Sequence, residues 1–167
     1  SSHGGSITNL NKLVNQLLFI DTDFVKFQIF KNNHLCHNSS KLYNNLKKIE
    51  IPFKNWKKII SKTLRKKNVI LEPFDQKSYE FCKKFKKKVL LKISCSEHDN
   101  IEMIKDATKN FKKIFINISG YNISRFENIV KKNKLKKNKI VLMYGFQSFP
   151  TNPKDLRMGI IKKIKTS

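Results

Sequence analysis

Arginine is nearly missing from a chain that is otherwise crowded with positive charge. Of 36 basic residues only Arg65, Arg125 and Arg157 are arginine, and 12 acidic residues leave a net charge of +24. Arginine is the preferred fork for phosphates and base edges, so its scarcity counts against a dedicated nucleic-acid surface. The lysines fall in short clusters, among them Lys57-Lys58, Lys66-Lys67, Lys86 to Lys88, Lys131 to Lys139 and Lys162-Lys163, mostly near predicted helix ends. That scatter fits a lysine-rich composition spread over solvated faces. It disfavours nucleic acid as a partner and leaves an anionic small molecule open. Cysteine is also scarce. Cys36, Cys82 and Cys95 are odd in number and lack metal-type spacing, which argues for a reduced, cytoplasmic setting. No apolar run approaches the roughly 20 residues of a membrane helix, and no secretory leader is expected. The five glycines form no phosphate-binding loop motif. His3, His34, His37 and His98 show no metal-ligand spacing, so no metal site is expected from this chain alone.

What is present is ample apolar material. Hydrophobic residues make up 39% of the 167, with 13 Phe, enough to bury the core of one domain. Ile7, Leu10, Leu13, Val14, Leu17 and Leu18 recur at helical spacing behind Ser6, a good cap. Five apolar runs then predict strands at 24–30, 69–74, 89–94, 114–119 and 140–146. Between them lie helical stripes on Phe53, Trp56, Ile59, Ile60 and Leu64, on Tyr79, Phe81, Cys82 and Phe85, on Ile101, Ile104 and Ala107, and on Phe126, Ile129 and Val130. A final stripe takes in Leu156, Ile160, Ile161 and Ile164. The polar stretch from Lys31 to Glu50 is long for a strand-to-helix connection. It is either a lid or a segment with its own small helix around residues 41–49.

Strands alternating with helices predict a parallel sheet, and near-continuous apolar strands predict burial on both faces. Two architectures fit, an open doubly wound sheet and a (β/α)8 TIM barrel. The first helix has no strand before it. A partial barrel running from strand 2 to helix 6, with helix 1, accounts for that better than a complete open sheet. On this reading residues 1–167 form one partial barrel domain with no second domain.

Either architecture places chemistry at the carboxyl ends of the strands. In the first strand Lys26 and Gln28 alternate with Val25, Phe27 and Ile29, so period two puts both polar groups on one face. Lys92 and Ser94 share a face in the third strand in the same way. Buried lysines are costly unless paired, and two at similar depth suggest a phosphate or carboxylate site. The bland alternative is that each lysine snorkels to the rim or pairs with Glu72 or Glu97. Asp75 and Asp99 read at least as well as helix caps as they do as catalysts. Glu97, just behind Lys92, is better placed to receive a substrate hydroxyl. Cys95 lacks a histidine positioned to activate it and reads as a small turn residue. The stretch 139–153, KIVLMYGFQSFPTNP, has the most distinctive turn and presents Gln147 beyond Gly145.

The segments DFVKFQIF, EPFD, LKISCSE, NISGY and LMYGFQSFPTNPKDLRM, in this order and spacing, resemble the sialic acid synthase family, which makes N-acetylneuraminate and related nonulosonates. The opening Ser2-His3-Gly4-Gly5-Ser6 looks like the family's Asn-His-x-Gly turn after the first barrel strand. The resemblance implies a (β/α)8 barrel, often followed by an antifreeze-like domain. It also implies condensation of phosphoenolpyruvate with an open-chain N-acetylated hexosamine, with a divalent metal, Mn or Mg, whose ligands lie outside this chain. Carried over by position, Lys26 and Lys92 hold the phosphate and carboxylate of phosphoenolpyruvate, and Gln28 and Glu97 contact the sugar or the reacting groups, Glu97 as the catalytic candidate. Cys95, Ser119 and Gln147 complete the substrate-binding set. A full-length homodimer is compatible with this reading. Four positions depart from the pattern: Cys95 for a phosphate-contacting Ser, Glu72 for a small residue, Ile118 for a hydroxyl residue and Phe149 for Tyr. A degenerate homologue that binds without turnover is therefore the rival reading, ahead of a basic nucleic-acid-binding domain. As it stands, this chain is expected to be inactive alone.

Overall fold

A computed structural model describes residues 2–120, 122–148, 150–156 and 158–165, with side chains described as far as Lys162. Tyr121 of the NISGY element, the Phe149 departure, Arg157 and the side chain of Ile164 lie outside the described residues. Five strands form one parallel sheet: β1 (Phe24–Ile29), β2 (Asn68–Pro73), β3 (Leu90–Ile93), β4 (Ile114–Asn117) and β5 (Ile140–Met143). Their spatial order is β1-β2-β3-β4-β5. A doubly wound sheet reverses direction at a switch point, whereas this one adds each strand beside the last. That is the winding of a barrel wall, and the sheet is left open because β1 and β5 are not paired.

Eight α-helices accompany the strands among the described residues: α1 (Ile7–Leu17), α2 (Asn32–Leu35), α3 (Tyr43–Ile49), α4 (Phe53–Thr63), α5 (Gln76–Lys83), α6 (Ile101–Asn110), α7 (Ile123–Lys132) and α8 (Ile160–Lys165). Their starts follow from capping chemistry. Ser6 Oγ accepts from Asn9 N at 3.2 Å, Asn122 accepts from Arg125 N, and Asp75 Oδ1 accepts from Ser78 N at 2.9 Å. The cap of α6 is Asn100, which accepts from Met103 N, rather than the neighbouring Asp99. Lysines stand in the last turns of α3, α4, α5, α6 and α7, where the negative end of the helix dipole favours them. Seven of the lysines are placed at helix ends in this way.

Burial alternates along β1: Val25, Phe27 and Ile29 are buried while Phe24, Lys26 and Gln28 are exposed. The buried face meets the helices, as where the Phe27 and Trp56 rings pack with centroids 5.6 Å apart. Phe53 of α4 stacks on Phe81 of α5 at 4.5 Å, so consecutive helices also pack on each other. The other face is only half-buried at Ile70, Leu90 and Phe115. Burial of both faces is thus not observed. Those apolar positions face the side that a closed barrel would enclose, which five strands leave open.

The predicted strands over 114–119 and 140–146 end early, at Asn117 and Met143. Asn117 Oδ1 accepts from both Ser119 N (2.9 Å) and Ser119 Oγ (2.6 Å), which turns the chain, and Gly120 follows at φ +74°. The last helical stripe is also shorter than predicted. Leu156 follows a 3-10 turn at Pro153–Asp155, and α8 starts only at Ile160.

The 31–50 connection contains two short helices, and its ends are clasped together. Glu50 accepts from Lys31 Nζ at 2.5 Å and from Asn32 N at 2.8 Å. Lys31 N also donates to Asp75 Oδ2 at 2.7 Å, tying the top of β1 to the start of α5. Gly5 packs against the end of α3 so closely that a Cβ there would lie 1.9 Å from the Lys48 carbonyl oxygen. Its φ of +83° also suits glycine.

Candidate active site

The parallel ladder fixes which polar side chains can meet. Gln28 on β1 pairs in register with Glu72 on β2, and Lys92 lies on β3 beyond it. Neighbouring strands stand about 4.8 Å apart, so Lys26 and Lys92 flank the Glu72 strand from opposite sides. Both converge on its carboxylate. Lys26 Nζ donates to Oε2 at 2.6 Å, Gln28 Nε2 donates to the same oxygen at 3.2 Å, and Lys92 Nζ donates to Oε1. The Glu72 side chain is 1% exposed, that of Lys92 11% and that of Lys26 40%. Burial alone would push the Glu72 carboxyl up. The hydrogen bonds and charges of Lys26 and Lys92 outweigh that and hold it below its ordinary value.

Three of the sequence-predicted site residues, Lys26, Gln28 and Lys92, are therefore brought together, with Glu72 at their centre. The rest are not joined to them by any hydrogen bond or ion pair among the described residues. Glu97 sits in the 3-10 turn after β3 (Cys95–Glu97), half-buried, and accepts from Asn100 Nδ2 at 3.0 Å, the residue that caps α6. Cys95 is a free, half-buried thiol, and its backbone carbonyl accepts from His98 Nδ1. The imidazole thus addresses the Cys95 backbone. Ser119 is buried in the Asn117 turn, near Gly145, where a Cβ would lie 3.6 Å from Ser119 Oγ. Ile118 is buried in the core, so the position that departs from a hydroxyl residue presents none. Gln147 is exposed, beyond the end of β5.

Sequence reasoning underweighted two acidic residues. Glu72 entered only as the bland alternative, a pairing partner for the lysines, and that pairing is what the structure shows for both Lys26 and Lys92. Glu50 carried no periodic signal, because its partners Lys31 and Asn32 lie at the far end of the same connection. Its carboxyl too is held below its ordinary value, the cost of burial being outweighed by Lys31 and the Asn32 amide. Among the described residues no group of three or more His, Cys, Asp and Glu side chains is placed to hold a metal ion. No helix of the described residues is long and apolar enough to cross a membrane.

A one-directional parallel sheet, helices on one face and an ionic cluster at the carboxyl ends of the other define an α/β protein of the TIM-barrel type, here an unclosed part of a barrel. The chain belongs to the NeuB family, whose model matches residues 13–167. It is 26% identical over 183 residues to the N,N'-diacetyllegionaminic acid synthase of Campylobacter jejuni subsp. jejuni serotype O:2, an alignment covering 98% of this chain and 54% of that protein. The chain thus spans about half the length of this curated relative. Its fold matches the crystal structure of N-acetylneuraminic acid (sialic acid) synthetase from Leptospira borgpetersenii serovar Hardjo-bovis with a TM-score of 0.85 at 21% identity, covering 98% of this chain and 57% of that one. The spore coat polysaccharide biosynthesis protein SpsE of Bacillus subtilis matches with a TM-score of 0.77 at 16% identity, covering 98% and 47%. At these identities the structural likeness carries the fold, and the family match carries the kinship.

Proposed function

We propose that the chain is the phosphoenolpyruvate-binding part of a nonulosonate synthase-type barrel. The observation that carries the reading is the convergence of Lys26 and Lys92 on one anion position at the carboxyl end of the sheet. Two ammonium groups set by neighbouring backbone ladders suit a small molecule bearing a carboxylate and a phosphate. Membership of the NeuB family supports that choice. In the proposed reaction C3 of phosphoenolpyruvate bonds to the aldehyde carbon of an N-acetylated hexosamine, whose oxygen takes up a proton. Water adds at C2, and loss of phosphate leaves the 2-keto acid. Lys26 and Lys92 hold the charged ends of phosphoenolpyruvate, and Gln28 orients the reacting groups. Glu97, on its 3-10 turn, receives a sugar hydroxyl, while Ser119, Cys95 and Gln147 line the approach. The divalent metal that such a condensation uses, Mn or Mg, takes its ligands from outside these residues.

The test is phosphate release. The chain, completed to the length of its relatives, is mixed with phosphoenolpyruvate, Mn²⁺ and a panel of N-acetylated hexosamines. Release that depends on the sugar and disappears in Lys92→Met is the expected result, and silence with every sugar rejects the catalytic reading. Cys95 and Glu72, at positions where the family carries a Ser and a small residue, favour one other reading, a homologue that binds the anion without turnover. Saturable phosphoenolpyruvate binding with no phosphate release is its signature.

A further inference from the structure

The Lys26–Glu72–Lys92 cluster carries one cation too many for a structural ion pair. A single lysine would neutralise the Glu72 carboxylate, yet two are brought to it, and Lys92 is almost fully buried to reach it. Burying a second ammonium is costly unless an anion compensates it. Both carboxylate oxygens are engaged, Oε1 by Lys92 and Oε2 by Lys26 and Gln28. The spacing of the two lysines is set by the β1-β2-β3 ladder, whose register is fixed by backbone hydrogen bonds along these strands. With the Glu72 side chain shortened, two ammoniums and an amide would still aim at one vacated carboxylate-sized position. Lys26 and Gln28, both exposed, give that position access to solvent.

We propose that Glu72 is a built-in occupant of the anion site formed by Lys26, Gln28 and Lys92, and that a ligand's carboxylate or phosphate binds there by exchanging with it. The proposal rests on the reading of this cluster as the phosphoenolpyruvate subsite and adds what sets its affinity. Exchange of one carboxylate for another gains little, since the incoming anion inherits bonds that already exist. The chain as it stands therefore binds anions weakly. A neutral side chain at position 72 converts the cluster from self-satisfied to receptive. Glu72 is then the residue that determines occupancy of the site, although it donates nothing to a ligand.

The experiment compares the unmodified chain with Glu72→Gln and Glu72→Thr. Each is titrated calorimetrically with inorganic phosphate and with phosphoenolpyruvate, and melted in both against chloride of matched ionic strength. Both variants are expected to bind phosphate at least tenfold more tightly than the parent, to melt lower in chloride, and to regain stability in phosphate by mass action. The gain is expected to vanish in Glu72→Gln combined with Lys92→Met. Equal phosphate affinity in parent and variants, or no binding by any of them, overturns the proposal. Should both variants fail to fold, the unmodified chain decides through the ¹³C resonance of the Glu72 carboxyl. Movement of that signal on saturation with phosphate, with that of Glu50 unmoved, supports exchange, and a fixed Glu72 signal overturns it. Phosphate binding that gains tenfold while phosphoenolpyruvate is refused leaves the exchange standing and removes the phosphoenolpyruvate reading. A parent that already binds phosphoenolpyruvate as tightly as the variants does the reverse.

Discussion

The carboxyl ends of β1 to β3 and those of β4 and β5 are built from similar polar residues but solve different problems. At the first three strands, charges from separate strands meet across the sheet, and the Glu72 carboxylate satisfies Lys26, Gln28 and Lys92 together. At the last two, polar groups are satisfied locally: Asn117 binds Ser119 two residues on, and Thr151 Oγ1 donates to the Ser148 carbonyl at 2.5 Å. The first arrangement depends on the fold, because the partners of Glu72 lie 20, 44 and 46 residues away from it. The second is local in sequence, its partners two and three residues apart. Burial does not divide at the same place: β1 to β4 all carry fully buried positions, Ile114 and Ile116 on β4 among them, and β5 carries none. Perturbing the β1–β3 end should therefore disturb the whole domain, and perturbing the β4–β5 end only its own loop.

The largest effect should come from Lys92→Met. It leaves the buried Glu72 carboxylate with the more exposed Lys26 alone, and removing one partner of a buried pair costs ~3 kcal/mol or more. Lys26→Met, at a side chain 40% exposed, should cost about 1 kcal/mol or less. Urea unfolding of the two variants side by side checks the ratio, and equal losses would break the asymmetry claimed for the cluster. Acid provides a second handle on the same group. The folded-state value of Glu72 lies below its unfolded value, so the unfolded chain binds the proton more readily. Its contribution is complete above the ordinary carboxylate range near pH 4.5 and is lost as pH falls through the depressed folded value. Chemical unfolding from pH 6 to pH 3 should show this loss in the parent and a shallower one in Glu72→Gln. A smaller loss of about 2 kcal/mol is expected from Asp75→Ala, which uncaps α5 and frees Lys31 N and Ser78 Oγ.

These contrasts also explain what the amino-acid sequence made legible. Strand-helix alternation made the parallel sheet legible but fitted a doubly wound sheet equally, and it was the first helix with no strand before it that favoured the barrel-type winding. The helix-facing side of β1 followed from the parity of Val25, Phe27 and Ile29, and Asp75 as a cap followed from its place before α5. The convergence of Lys26, Gln28 and Lys92 was legible too, because period two constrains strand faces however far apart the strands lie in the chain. What stayed hidden was set by groups that break periodicity. The early end of β4 depends on one side-chain amide at Asn117, and the cap of α6 on Asn100 standing one residue past the more obvious Asp99. The clasp at Glu50 closes a connection whose ends no pattern relates. Burial of both sheet faces was the wrong inference for a similar reason. Apolar content says a strand face belongs in a core, and it does not say how much of the surrounding wall is present.

The smallest effects should lie at the β4–β5 end. Ser119→Ala removes a hydroxyl that donates to Asn117 Oδ1, but the backbone bond from Ser119 N to the same oxygen remains. The residue is buried, so a loss of about 1 kcal/mol is expected, one modest hydrogen bond. Gln147→Ala should change stability by no more than about 0.5 kcal/mol, as at other exposed positions away from special features. Its influence, if it lines the approach to the proposed subsite, would be confined to the sugar. In the proposed full-length synthase Gln147→Ala should raise the KM for the N-acetylated hexosamine several-fold and leave that for phosphoenolpyruvate within twofold. A matched rise in both constants would place Gln147 in the same unit as the lysine cluster. The division between a fold-dependent charged end and a self-contained polar end would then have to be withdrawn.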